Sequence, residues 1–238
     1  MPQELISGVG TLVPEVSLGM GAMIIHSMGG IQQMPDSRIQ KLISNFKSRN
    51  IDVFFLESFS EVNHKLLQMI PGDCTVGIGH SITVQNTGIV QKLVERGNTV
   101  FDKTMSANRE ESKLIKKKAL TADWYITGTN AISLEGHIVN VDHSGNRVAA
   151  MVFGPDYVVI VVGINKIVDS LSDAIQRAKN IASPMNAKRA GFNPPCVELN
   201  RCVDCKSKER VCNSLVIIEG QEVTGRMKVF IVNEGAGF

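Results

Sequence analysis

The chain has little of what ties a protein to nucleic acid or to a membrane. It contains one Trp and two Tyr in 238 residues, which is too few for the aromatic platforms on which single-stranded bases stack. Its 25 basic and 23 acidic residues leave a formal net charge of +2, so no strongly basic surface is expected for a phosphate backbone. No hydrophobic run approaches the ~20 apolar residues of a membrane helix. We therefore expect no nucleic-acid partner and no membrane span.

The first 33 residues contain no lysine or arginine. A secretory signal begins with a basic segment, so we expect a cytoplasmic protein whose thiols stay reduced. Helical periodicity begins directly after Met34. We interpret residues 1–33 as an N-terminal extension outside the fold, with an arm on a neighbouring subunit as the alternative, and residues 34–238 as one domain. The sequence leaves the oligomeric state open.

Short apolar segments alternate with amphipathic segments along residues 34–238. Several apolar segments, such as "YVVIVVG", are nearly continuous Val and Ile, as in parallel strands that are buried on both faces. The sequence therefore predicts an α/β fold with a mainly parallel sheet flanked by helices. "RVAAMVFG" is predicted as a further strand. "SLVIIEG" and "RMKVFIVNE" are predicted as a terminal strand pair that follows a Cys-rich insertion at 194–213.

A Gly-rich turn, "VGIGHSIT", follows the second predicted strand. In open α/β sheets ligands bind outside the carboxyl ends of the strands, and consecutive backbone amides in such turns can bind anions. Hydroxyl groups then stand at the start of a helix, where free amides also favour an anion. We therefore predict a phosphate or carboxylate site at Gly77, Gly79, His80, Ser81 and Thr83. The alternative is a tight turn that needs glycine only for its backbone.

A polar segment, "NAISLEGHIVNVDHSGNR", follows the fourth predicted strand. Asn130 comes directly after that strand, where a site residue would lie. Arg147 could bind a phosphate through two N–H groups, and a neutral His143 could act as an acid or base. Asn140 and Asn146 complete this candidate set. The alternative is that the segment contains only hairpin turn residues.

Lys166 follows the "YVVIVVG" strand at the start of a predicted helix. A cation is unfavourable next to the positive end of a helix dipole, so we predict that Lys166 contacts an anionic ligand. The alternative is an exposed lysine on the first helical turn. The lysine run at 116–118 is predicted to be a solvated helix face rather than a binding surface.

Four cysteines, Cys196, Cys202, Cys205 and Cys212, lie within "PPCVELNRCVDCKSKERVC". Four thiolates can close a tetrahedral zinc site or hold an iron–sulfur cluster. Their spacing matches neither a bacterial ferredoxin run nor a zinc ribbon, and a redox-active dithiol and unligated thiols are further alternatives. A reducing compartment disfavours a structural disulfide. Cys74 stands apart and is predicted to be a small buried residue.

These segments together resemble the LUD family, which is named for lactate utilisation. The resemblance rests on "TVGIGHSIT", on the stretch from "DWYITGTNAIS" to "VVGINKIV", on "NAKR" and on the cysteine segment, and it covers residues 34–238. It implies a sheet of the type found in ribose-5-phosphate isomerases and CoA transferases. "TGTNAISLEGHIVN" is also similar to a segment of methylthioribose-1-phosphate isomerases that carries a catalytic Asp. Asn130 stands at that position and cannot act as a general base, which argues against an isomerase activity.

The resemblance also implies a role in supporting the oxidation of L-lactate, a 2-hydroxy acid, beside an iron–sulfur redox partner protein. For that reason an iron–sulfur cluster is preferred on the four cysteines, with zinc as the alternative. We expect a small anionic or phosphorylated ligand. A stand-alone enzyme acting on a sugar phosphate or a CoA ester remains open, as does a non-catalytic regulatory module stabilised by a metal. The sequence does not decide whether the protein is an enzyme.

Overall fold

A six-stranded parallel sheet lies at the centre of the fold. The computed structural model describes residues 37–238, so the interpretation of residues 1–33 lies outside the described part. All neighbouring strands in this sheet pair in parallel. Their order is β1 (Asp52–Leu56), β10 (Met227–Val232), β7 (Tyr157–Gly163), β4 (Trp124–Gly128), β2 (Thr75–Ile78) and β3 (Thr99–Phe101). The predicted fold class is therefore confirmed.

Helices cover both faces of this sheet. Along β7, Val158 and Ile160 belong to one core cluster, whereas Val159 and Val161 belong to the other, as expected from the alternation of side chains along a strand. Residues of α1 (Ser37–Ser48), α5 (Arg109–Ala119) and α6 (Asn146–Val152) join the first cluster. Residues of α2 (Phe59–Met69), α3 (Ile82–Thr87) and α4 (Ile89–Glu95) join the second. Burial on both faces explains the continuous Val and Ile runs.

A second, mixed sheet of four strands extends from the first. Its order is β8 (Ile167–Val168), β5 (Ala131–Ser133), β6 (Ile138–Asp142) and β9 (Ser214–Ile218). The pair β5–β8 is parallel, whereas β6 is antiparallel to both of its neighbours. The helix α7 (Leu171–Arg177) contributes Ala174 to the apolar cluster beneath this sheet.

The helical segment that follows β8 consists of three parts. It runs from α7 through a π-helical turn (Ala178–Ala182) into α8 (Ser183–Arg189). A short helix, α9 (Pro195–Leu199), then starts the cysteine segment. No helix within residues 37–238 is long and apolar enough to cross a membrane.

The prediction of a strand at "RVAAMVFG" is wrong. This segment forms α6, which begins after Gly145 in the left-handed conformation, with φ of 78°. The helix buries Val148, Ala150 and Met151 while Ala149 remains exposed. A short apolar run fits a buried strand and a buried helix equally well by periodicity, and the high helix propensity of Ala and Met favours the helix.

The prediction that the last two strands pair with each other is also wrong. β9 pairs with β6 in the second sheet, and β10 lies between β1 and β7 in the first. All six residues of β10 are buried, whereas Leu215 of β9 is 43% exposed. The continuous apolar character of β10 is typical of a central parallel strand, so the two segments enter different sheets.

Candidate functional site

A cavity of about 260 Å³ opens where three strands of the main sheet end. The residues that follow β2, β4 and β7 all contribute to its wall, as expected for the ligand-binding edge of an open α/β sheet. Of the predicted site residues, seven line this cavity: His80, Ser81, Asn130, His143, Asn146, Arg147 and Lys166. The tertiary structure thus brings the three predicted loops together around one space.

The remaining predicted ligand contacts, Gly77, Gly79, Thr83 and Asn140, do not line the cavity. A Cβ atom at Gly77 would lie 2.8 Å from the carbonyl oxygen of Ala119, and one at Gly79 would collide with the side chain of Thr127. Glycine is therefore required here for packing between β2 and its neighbours. Gly77 lies within β2 and neither glycine has a positive φ, so close packing, rather than a turn conformation, accounts for both positions.

Arg147 is held in the cavity wall by five hydrogen bonds. Its Nε donates to Asp142 Oδ2 at 3.0 Å, and Nη1 donates to the carbonyl of Gly128 at 3.1 Å and to Asn140 Oδ1. Nη2 donates to the carbonyl of Val141 at 2.7 Å and to the side chain of Asn130 at 3.2 Å.

An arginine has five N–H donors, and those of Arg147 are all engaged by protein acceptors. The predicted bidentate binding of a phosphate by Arg147 therefore does not agree with the structure. Arg147 instead contributes positive charge and fixes the neighbouring side chains.

Asn130 is oriented by these contacts. Its Oδ1 accepts from the backbone N–H of Val141 at 2.9 Å and from Arg147. The amide nitrogen must then point the other way, and its Nδ2 has no hydrogen-bond partner among the described residues. Because Asn130 lines the cavity, this NH₂ group is a donor available to a ligand.

Lys166 is 3% exposed and lies in a three-residue 3₁₀ turn (Ile164–Lys166) directly after β7. Its Nζ donates to Thr83 Oγ1 at 2.9 Å and to the carbonyl of Thr129 at 3.3 Å. Within residues 37–238 it forms no salt bridge. Burial, followed by the positive charges of Arg177 and Arg147, lowers the pKa of Lys166 to about 7. The alternative of a solvated lysine is thus contradicted by the structure.

His80 is neutral and contacts a second cation of the wall. Burial, followed by the charges of Lys103 and Arg189, lowers its pKa to about 4. Its Nε2 lies 2.6 Å from Nη1 of Arg189, and an arginine can only donate. Nε2 is therefore the acceptor and the ring proton resides on Nδ1, which has no partner among the described residues. His143, in contrast, is exposed and packs edge-to-face on Phe192 at 5.2 Å between ring centroids.

Three cationic residues of the wall were not predicted as site residues: Lys103, Lys116 and Arg189. Lys116 belongs to the run that we expected to be solvated; its two successors are exposed, whereas Lys116 is half-buried and faces the cavity. Arg189 reaches the wall from α8, after the π-helical turn. π-Helical turns often occur at functional sites, but nothing in the local sequence indicated one here.

The cavity wall is therefore strongly basic. Five cationic side chains line it, and the one acidic side chain among its lining residues, Asp142, is paired with Arg147. Burial, followed by the charges of Lys116 and Arg189, lowers the pKa of Lys103. The positive charges of Lys116 and Arg189 thus add to the effect of burial on the charged form of Lys103. An anion in the cavity would relieve that repulsion.

The cysteine segment shows no comparable arrangement. Cys196 is buried, whereas Cys202, Cys205 and Cys212 are half-buried, and all four thiols are free. The described residues contain no group of three or more His, Cys, Asp or Glu side chains placed to hold a metal ion. The donor types suit zinc or an iron–sulfur cluster, and burial followed by the charges of Cys205, Cys212 and Cys202 raises the pKa of Cys196. The metal centre stays a prediction.

The fold is an α/β domain with a basic cavity at the carboxyl edge of a parallel sheet. The model of the LUD domain family matches residues 39–232. The chain therefore belongs to the LUD domain family, as its sequence motifs indicated.

The structure of a DUF162 family protein supports the same fold. A DUF162 family protein from Deinococcus radiodurans has a TM-score of 0.50 and 15% identity, and the match covers 85% of this chain and all of that one. The delta subunit of eIF2B from Chaetomium thermophilum has a TM-score of 0.32 and 15% identity, covering 58% and 55% of the two chains. No curated protein sequence matches the chain significantly.

Proposed function

We propose that this protein binds a small anionic ligand in the basic cavity and, through it, supports the oxidation of a 2-hydroxy acid. The single observation that carries the proposal is the charge of the wall, where five cationic side chains line the cavity with one acidic side chain, Asp142, which is paired with Arg147. Lys166 is buried without a counter-ion among the described residues, and Lys103 and Lys116 are half-buried. A bound carboxylate or phosphate would offset the cost of burying these charges. Membership of the LUD family supports a link to lactate, whose own charge is a carboxylate.

The size of the cavity favours a small ligand. Its volume of about 260 Å³ lies below the range of roughly 300–1,000 Å³ that is typical of pockets for drug-sized molecules. A 2-hydroxy acid, a 2-oxo acid or a short sugar phosphate fits this space. A whole CoA ester does not, so the cavity argues against that alternative unless most of the molecule lies outside.

Charge removal tests the proposal directly. In a Lys103→Met, Arg189→Met double variant, calorimetry with lactate, pyruvate and inorganic phosphate should show affinity lower by at least about tenfold, because hydrogen bonds to charged groups contribute about 1.5–3 kcal/mol each. The matched control is Lys117→Met, Lys118→Met, which removes two exposed charges from α5. Equal affinities in wild type and double variant would refute the anion site.

The metal centre and the redox partner are separate parts of the proposal. We propose that Cys196, Cys202, Cys205 and Cys212 bind iron–sulfur or zinc, on the chemistry of four thiols in one short segment. We likewise propose an iron–sulfur redox partner, on family resemblance alone. Neither proposal is needed for the anion site, and each can fail without affecting it.

A further inference from the structure

The amino group of Lys166 is bonded in a way that suits a neutral amine. Nζ has two acceptors, Thr83 Oγ1 at 2.9 Å and the carbonyl of Thr129 at 3.3 Å. The hydroxyl of Thr83 gives its own hydrogen to the carbonyl of Ala236 at 3.1 Å, so towards Lys166 it can only accept. A carbonyl oxygen can also only accept.

Two acceptors match the two hydrogens of a neutral amine. An ammonium group would have a third hydrogen, and no described residue accepts it. In the neutral form that third position is a lone pair, and no described residue donates to it. The lone pair of Lys166 therefore has no hydrogen-bond donor among the described residues, and Lys166 lines the cavity.

The charges around Nζ also favour the neutral, unprotonated amine of Lys166. Arg147 and Arg177 are the cations that act on it, and no carboxylate forms a salt bridge with it within residues 37–238. With its pKa near 7, a large part of Lys166 is unprotonated at neutral pH. Desolvation and adjacent cations are the means by which enzymes activate lysine as a nucleophile.

We propose that Lys166 forms an imine with the carbonyl group of a small anionic ligand, while the cations at the other side of the cavity hold its carboxylate or phosphate. This inference rests on the proposed anion site and names the class of its ligand. It assigns to the cavity a covalent step that simple anion binding does not require.

The step balances without an oxidant or reductant. The lone pair of Nζ attacks the carbonyl carbon, a C–N bond forms, and one hydrogen of the amine is transferred to the carbonyl oxygen to give a neutral carbinolamine. The C–O bond then breaks, the hydroxyl leaves with the second hydrogen of the amine as one water molecule, and the C=N bond replaces the C=O bond. The free NH₂ group of Asn130 is a donor for the developing oxygen charge.

Two ligand classes share the required chemistry, a carbonyl group close to an anionic group. One is a 2-oxo acid, and the other is a phosphorylated aldehyde or ketone. The two differ in the anionic group and in the distance between that group and the carbonyl. They are therefore separated by experiment, using pyruvate as one probe and glyceraldehyde 3-phosphate as the other.

Reductive trapping tests the inference on the full chain. The protein is incubated with each probe and sodium cyanoborohydride, and the modified residue is located by peptide mass spectrometry. We expect one adduct per chain, on Lys166, exceeding labelling of the exposed Lys117 by roughly 100-fold, because an ordinary lysine of pKa ~10.4 is almost wholly protonated at neutral pH. The probe that labels faster identifies the ligand class.

Lys166→Arg is the matched variant, since it keeps a cation but removes the nucleophilic amine. It should lose the adduct, and the wild-type peptide map locates the adduct even if this variant folds poorly. If calorimetry shows probe binding but trapping gives no adduct, or gives one spread over exposed lysines, the imine is refuted and the anion site stands. If neither binding nor an adduct is found, both proposals fail.

Discussion

The cavity and the cysteine segment are the two regions of this chain that carry chemically distinctive side chains, and they are built differently. The cavity lies at the ends of β2, β4 and β7, which are central strands of the sheet. The cysteine segment at 194–213 contains one five-residue helix and is otherwise irregular. Within it, Arg210 donates to the carbonyls of Cys205 and Cys212 at 2.9 and 3.0 Å, and the backbone N–H of Cys202 donates to the side chain of Asn180 at 2.9 Å.

This difference shows which side chains are held in place before a ligand or a metal binds. Side chains next to the ends of buried strands can be held by the strands and their loops. Arg147 is held in this way by five hydrogen bonds. Side chains in an irregular segment have no such support, and the four thiols are not placed to hold an ion. A metal would have to supply the organisation there, because its binding energy can also be folding energy.

The largest effect of a single substitution is expected at Gly79, which follows β2. Gly79→Ala should lower the free energy of unfolding by about 3 kcal/mol, because the new methyl group collides with Thr127 and overpacking costs about 1–3 kcal/mol or more. Chemical denaturation measures the change. Gly72→Ala, with nothing within 4 Å of the new atom, and Val203→Ala, at an exposed site in the cysteine segment, should each change it by less than about 0.5 kcal/mol. If either control lost as much free energy of unfolding as Gly79→Ala, the proposed difference in packing between the cavity region and the cysteine segment would be wrong.

The next effect concerns the cysteine segment. Zn²⁺ at about 100 times its dissociation constant should stabilise the folded protein by about 2.7 kcal/mol, which appears as a higher melting temperature. The Cys202→Ser, Cys205→Ser double variant should show no such increase, whereas Cys74→Ser should behave like wild type. Anaerobic purification with metal analysis and an absorption spectrum decides between zinc and iron–sulfur. A wild type that binds neither would leave the segment as four reduced thiols.

The third effect is a pH dependence that originates in the cavity. The folded state lowers the pKa of Lys166 from 10.5 to about 7, so between these pH values the unfolded chain binds more protons. The free energy of unfolding should therefore rise with pH in this window, by on the order of 4 kcal/mol in total.

Lys166→Met should remove that rise. Below pH 7 the variant should be about 2 kcal/mol more stable than wild type, since the lost penalty is partly offset by two lost hydrogen bonds of about 1 kcal/mol each. Denaturation curves at several pH values measure both quantities, with Lys117→Met as the control. If the free energy of unfolding of Lys166→Met still rose with pH, the rise would come from a group other than Lys166.

The smallest effect is expected from Asn130→Asp. The carboxylate can still accept from Val141 and Arg147, so the fold should be kept. The added negative charge in the cavity wall should weaken anion binding by about tenfold, or about 1.4 kcal/mol. Asn200→Asp, at the exposed end of α9, should leave the affinity unchanged. Equal affinity in Asn130→Asp and wild type would mean that the ligand does not approach this side chain.

The sequence identified several cavity residues for a physical reason that holds generally. Asn130 and Lys166 follow apolar strands, and the carboxyl ends of parallel strands meet at one edge of the sheet. Lys103, Lys116 and Arg189 gave no such signal. They reach the cavity from a 3₁₀ turn and from two helices, and their approach depends on how those elements pack.

The sequence by itself determined the family, the parallel α/β class and the loops in which a ligand site would form. It did so because strand hydrophobicity, glycine positions and extended motifs are local properties of the chain. Only the tertiary structure decided that α6 is a helix, that β9 and β10 enter different sheets, and that Arg147 has no free donor. It also showed that Lys166 is buried without a described counter-ion. Burial, charge proximity and hydrogen-bond saturation arise from contacts between distant segments, which no local pattern contains.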